Sequence, residues 1–129
     1  MGRVIVLCCL LLNCLGNQLL AEPIKIGLNY PRTGPYKEEG LAQMRGALLA
    51  IDELNERGGV LGRPLRLSSK DTASRPAKAV KNVDKLASEG AAMLFGGSSS
   101  AVAIAAGKRA AQHGLLYFGT LTYSNDTTG

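Results

Sequence analysis

The chain has 129 residues, 46% of them apolar, and a formal net charge of +5. That length suits one domain of modest burial, about a hundred residues once a leader is set aside. Cys8, Cys9 and Cys14 are its only cysteines and all lie in the first segment, so the remainder can build neither a disulfide nor a thiolate metal site.

Arg3 supplies a positive start, residues 4–15 are mostly apolar, and Ala21 offers a small residue for cleavage before Glu22. This reads as a secretory signal peptide over 1–21, with a single domain over 22–129. The apolar run is too short to span a bilayer. Leu11-Leu12-Asn13-Cys14 loosely resembles a lipoprotein signal, which leaves a form lipidated at Cys14 as the alternative. An exported domain without disulfides rests on its apolar core, and the bacterial periplasm is a compartment where that is ordinary.

Residues 24–29 are short, apolar and bounded by Pro23 and Pro31, which suits a buried strand. From 37 to 57, Leu41, Met44, Leu48, Ile51 and Leu54 recur at three and four residues, the stripe of a helix laid on a sheet. Gly58-Gly59 terminates it. Leu65 and Leu67 alternate with Arg66 and Ser68 in a strand ending near Asp71, and Ser74 with Pro76 starts the next helix. Val80, Val83 and Ala87 are its expected inner face. Lys78, Lys81 and Lys85 share another face without interleaved aromatics, a solvated surface rather than a nucleic-acid site. A strand over 91–95, an Ala-rich helix over 101–113 and a strand over 115–118 complete the pattern. Such alternation predicts an α/β fold, a parallel Rossmann-like sheet with flanking helices and right-handed crossovers.

All strand-to-helix turns then share one edge of the sheet, where ligands of open α/β folds bind. The turn Gly96-Gly97-Ser98-Ser99-Ser100 is the most informative of them. Free N–H groups at a helix start favour a carboxylate or other anion, and serine hydroxyls can donate or accept. The alternative is a helix N-cap with polar neighbours. A nucleophile elbow fails because Ser100 stands where Gly-x-Ser-x-Gly needs its last glycine. Dinucleotide and P-loop patterns are absent too, so no cofactor is expected.

Ile24-Lys25-Ile26-Gly27-Leu28, Thr33-Gly34-Pro35, Ala50-Ile51-Asp52-Glu53-Leu54-Asn55 and Gly58-Gly59-Val60-Leu61-Gly62-Arg63-Pro64-Leu65 occur in an order and spacing that resemble one family. The match continues through Asp71, Arg75-Pro76-Ala77-Lys78-Ala79-Val80, the serine turn and Gly114-Leu115-Leu116. The family is the branched-chain amino acid (Leu/Ile/Val) type of periplasmic solute-binding protein, the receptor component of an ATP-driven (ABC) importer. The resemblance implies a two-lobed type I periplasmic-binding fold that closes on its ligand by a hinge, with 22–129 as the N-terminal part of the first lobe. It also implies inner-membrane permease subunits as partners. Carried over by position, Ser98, Ser99 and Ser100 would hold the solute's carboxylate or carbonyl end, Leu121, Thr122 and Tyr123 would form a second contact turn, and residues 30–36 would form the cleft rim. Leu121-Thr122-Tyr123 is bulkier than is usual for branched-chain binders, and residues 115–123 also resemble relatives that bind urea and short amides.

His113 is the sole histidine, and Asp71 or Asp126 could complete a Ser-His-Asp set only on paper. A helix end before Gly114 suits a carbonyl cap better, and no enzyme or metal site is expected. Tyr30, Tyr36 and Tyr123 are placed in edge turns, where a ring and hydroxyl could line a cleft, and Tyr117 in the core. Asp71 is equally a ligand contact or a turn former. A sensor or receptor ectodomain of the same fold is the reading from another class.

Overall fold

The computed structural model describes residues 21–127. The expected leader and its three cysteines lie outside them, apart from Ala21. Strands and helices alternate along the chain: β1 (Ile24–Tyr30), α1 (Lys37–Glu56), β2 (Leu65–Asp71), α2 (Pro76–Ser88), β3 (Met93–Gly97), α3 (Ser100–Gln112) and β4 (Tyr117–Thr120), then a 3₁₀ turn Asn125–Thr127. The strands form one sheet in the order β2-β1-β3-β4, and every neighbouring pair is parallel, as the alternation predicts.

Successive side chains of a strand point to opposite faces, so the sheet has two differently covered sides. On one, Val83 and Leu86 of α2 and Val102, Ala106 and Ala110 of α3 enclose Leu94 of β3 in a fully buried core. The alanines of α3 keep it thin enough to lie against α2 and the sheet together. Gly27 completes the fit, because a Cβ there would come within 2.3 Å of Leu94 Cδ2. Burying a side chain such as Leu86 or Leu94 contributes about 1.5–3 kcal/mol.

The opposite side carries α1. Ile51 lies over Ile26, Leu65, Met93 and Phe95, around an open apolar hollow of about 280 Å³. α1 leans toward β1 and β2, so Phe118 of β4 is 52% exposed on this side. Leu48 and Leu54, expected in the buried stripe, are exposed, Leu54 at the edge of that hollow. Gly58-Gly59 ends α1 as expected, with Gly58 N–H and Gly59 N–H donating back to the carbonyls of Asn55 and Leu54.

Two other expectations need correction. The inner face of α2 is Ala79, Asn82, Val83 and Leu86, while Val80 and Ala87 are only half-buried. The helix is rotated because it packs against α3 as well as the sheet. β3 and β4 also run further than expected: Gly96 and Gly97 are strand residues paired with Gly119 and Thr120, and Leu115-Leu116 precede β4.

Candidate functional site

The chain leaves β1 toward β2 on one side and then returns past β1 to β3 and β4 on the other. This reversal is a topological switch point, and ligands of open α/β sheets bind in a crevice outside the carboxyl ends of the strands that flank it, here β1 and β3. The turn over 31–36 forms one bank and Ser98-Ser99, leading into α3, the other.

Asp71 organises the first bank. Its Oδ1 accepts from the N–H groups of Arg32 (3.0 Å), Thr33 (3.2 Å) and Ala73 (2.8 Å), and its Oδ2 from Thr33 Oγ1 (2.9 Å) and Lys78 Nζ (2.9 Å). Burial pushes its pKa up, but the Lys78 ion pair and then the bonds from Ala73 and Thr33 outweigh it, so the carboxyl sits well below the usual carboxylate range. Of the two roles open to Asp71, the geometry supports the turn former. Tyr36 N–H donates to Ser74 Oγ at 3.2 Å, tying the start of α1 to the same turn.

The second bank depends on two glycines. Gly96 has φ +133° and lies so close to β1 that a Cβ would fall 2.1 Å from the Asn29 carbonyl oxygen; Gly97 has φ +130°. They carry β3 into Ser98, which takes a left-handed conformation, φ 63°. Ser98 is 5% exposed, its N–H donates to the Thr120 carbonyl at 3.1 Å, and its Oγ is buried without a hydrogen-bond partner. Ser99 is the N-cap of α3, yet its hydroxyl makes no capping bond. The first N–H groups of α3 lack intrahelical acceptors and form the positive end of the helix dipole.

Ser100 joins this bank to the turn after β4. Its Oγ accepts from Tyr123 N–H (3.2 Å) and Ser124 N–H (3.3 Å), bringing Leu121, Thr122 and Tyr123 beside the serine turn as their positions predict. Leu121, in a left-handed conformation, is 51% exposed, and Tyr123 is 97% exposed. Thr122 Cγ2 lies near Gly97.

Tyr30 is not on the rim. It is a strand residue 5% exposed, because β1 runs one position further than expected and turns the ring into the core; Tyr36 is the exposed aromatic of that turn. Tyr117 packs at the margin of the core as expected, and burial pushes its phenol up. His113 occupies the C-cap of α3, but its ring pairs with Asp84 Oδ1 (2.7 Å) rather than with carbonyls, alongside Arg109 (2.6 Å). The length of α3, about 20 Å, separates it from Ser98, so Ser98, His113 and Asp71 assemble no triad. No group of metal-binding side chains occurs among the described residues.

Two residues of this edge escaped the sequence reading. Gln43 of α1 donates from Nε2 to Thr120 Oγ1 at 3.0 Å, and Asn29 forms a buried pair with Asn82 at 3.0 Å. Both contacts are long-range, and neither residue belongs to a local motif.

Comparison with known proteins accords with this architecture. A family profile described as periplasmic binding protein matches residues 23–129. A Leu/Ile/Val-binding protein of Rhizobium johnstonii is 37% identical over 93 residues, which make up 72% of this chain and 25% of that relative. A leucine-, isoleucine-, valine-, threonine- and alanine-binding protein of Pseudomonas aeruginosa is 38% identical over 78 residues, 60% of this chain and 21% of that one. The chain therefore spans about a quarter of the length of the curated relatives it matches. Among solved structures, a branched-chain amino acid transporter substrate-binding protein of Streptococcus pneumoniae, in complex with isoleucine, matches with a TM-score of 0.79 and 29% identity, covering 82% of this chain and 31% of that one. With the parallel sheet, the crevice at its switch point and a profile match across nearly all described residues, the chain belongs to the periplasmic binding protein family.

Proposed function

We propose that this chain forms part of the extracytoplasmic substrate-binding component of an ABC importer, with a branched-chain or related amino acid as solute. The observation that carries the reading is the serine turn at the carboxyl end of β3, which leads into the start of α3 and whose Ser99 hydroxyl makes no capping bond. An amino acid presents a carboxylate, and the N–H groups at the start of α3 with the Ser99 hydroxyl suit that charge. Ser100 supports them by holding the turn of Tyr123 and Ser124, and the exposed Leu121 and Tyr123 offer apolar surface to a side chain. The names of the relatives, which specify leucine, isoleucine and valine, support the solute class.

On this reading residues 22–129 form the N-terminal part of the first lobe, the leader delivers the protein to the periplasm, and permease subunits of the inner membrane receive its solute. Chemistry in the cleft is binding rather than catalysis. Titration calorimetry of the natural full-length protein with leucine, isoleucine, valine, urea and short amides tests the assignment. Binding of a branched-chain amino acid, weakened by about 1–3 kcal/mol in Ser99→Ala, is expected. Preference for urea or an amide would move the solute class, and unchanged affinity in Ser99→Ala and Ser100→Ala would remove the turn from the site.

A further inference from the structure

Thr120, the last residue of β4, is the point where three parts of the edge meet. Its carbonyl accepts from Ser98 N–H at 3.1 Å and from Gln43 Nε2 at 3.4 Å, and its Oγ1 accepts from Gln43 Nε2 at 3.0 Å. One side chain of α1 thus reaches across the sheet to the residue that anchors the serine turn. The turn beyond Thr120 is held at its other end by Ser100, whose Oγ takes the N–H groups of Tyr123 and Ser124.

The other half of the Gln43 carboxamide explains why this residue is more than filler. Its Oε1 is buried and has no hydrogen-bond partner. A buried acceptor left unpaired opposes folding, and an apolar side chain of the same length would avoid that cost. Leu41, Met44 and Ala47 fill the neighbouring half-buried positions of α1 in this way. The donor end of Gln43 therefore has a use that packing alone does not supply.

We infer that Gln43 is a positioning residue for the solute edge: by fixing Thr120 it sets the spacing between α1, the serine turn and the turn over 121–124. The inference rests on the proposed solute-binding role of that edge. Gln43 touches no solute itself; it decides where the groups that do so are placed. Loss of its bond frees Thr120 to shift, and Ser98 N–H and Leu121 shift with it.

The test uses the natural full-length protein and Gln43→Met, which keeps length and burial but removes the amide. Two measurements are made: amide hydrogen exchange at Ser98, and calorimetry with leucine, isoleucine and valine. Exchange at Ser98 about tenfold faster, with affinity about tenfold weaker, is expected for loss of one buried bond. Thr120→Val in the Gln43→Met background should add little further loss of affinity, since the bond is already gone. Parent-like exchange at Ser98 in Gln43→Met overturns the inference. Faster exchange with unchanged affinity also overturns it, because the bond would then be structural only. A parent that binds none of the three solutes defeats the proposed function instead, while the exchange arm still decides whether Gln43 sets the turns.

Discussion

Thr33 and Asp71 share two hydrogen bonds across the first bank of the crevice, from Thr33 N–H to Oδ1 at 3.2 Å and from Thr33 Oγ1 to Oδ2 at 2.9 Å. The Asp71 side chain is 11% exposed and pairs with Lys78, so its charge is well supported. Asp71→Asn is expected to lower stability by about 1.5–3 kcal/mol, the range for hydrogen bonds to charged groups.

The same carboxylate predicts a pH dependence. Its folded pKa is depressed, so its contribution is complete above the unfolded value near 4 and is lost as pH falls through the folded value. Urea midpoints of parent and Asp71→Asn should differ most at neutral pH and converge as pH falls below about 4. A gap that stays constant down to pH 2.5 would mean the carboxylate is not held as described.

Ser98 combines a left-handed backbone with a buried, unpaired hydroxyl. Both features oppose folding, and glycine relieves both, so Ser98→Gly should raise stability by about 1 kcal/mol. Thermal unfolding measures this directly. A fall in stability would show that the hydroxyl has a partner in solution.

Asn82 donates from Nδ2 to Asn29 Oδ1 at 3.0 Å and to the Asp71 carbonyl at 2.9 Å, while Asn29 donates to the Ala79 carbonyl at 3.0 Å. Asn29 is fully buried, so Asn82→Leu strands its oxygen and should cost about 1–3 kcal/mol in urea unfolding. Replacing both asparagines by leucine should cost less than the sum of the single changes, since the stranded Asn29 oxygen is then removed as well. Additive losses would argue against a coupled pair.

The alternation of apolar strands with amphipathic helices was legible in the sequence, because hydrophobic periodicity is a local property and the turn residues between elements are chemically distinctive. It sufficed for the parallel sheet and for the edge that carries the turns; setting Leu121, Thr122 and Tyr123 beside Ser98, Ser99 and Ser100 needed the family resemblance.

Register and side-chain pairing were decided only by the tertiary structure. Gly96 and Gly97 read locally as the end of a strand, yet they continue it, because only glycine can approach the Asn29 carbonyl at that distance. Tyr30 reads as a turn aromatic beside Pro31, but pairing with Asp71 of β2 makes it a buried strand residue. The rotation of α2 follows from a second neighbour, α3, that no periodicity within α2 encodes. Gln43 and Asn82 take their roles from partners 77 and 53 residues away, and a polar residue in a helix carries no local sign of such a partner. Local pattern specified the elements and their order; that Ser98 is buried while Ser99 and Ser100 are only half-buried was set by contacts that exist only once the sheet has formed.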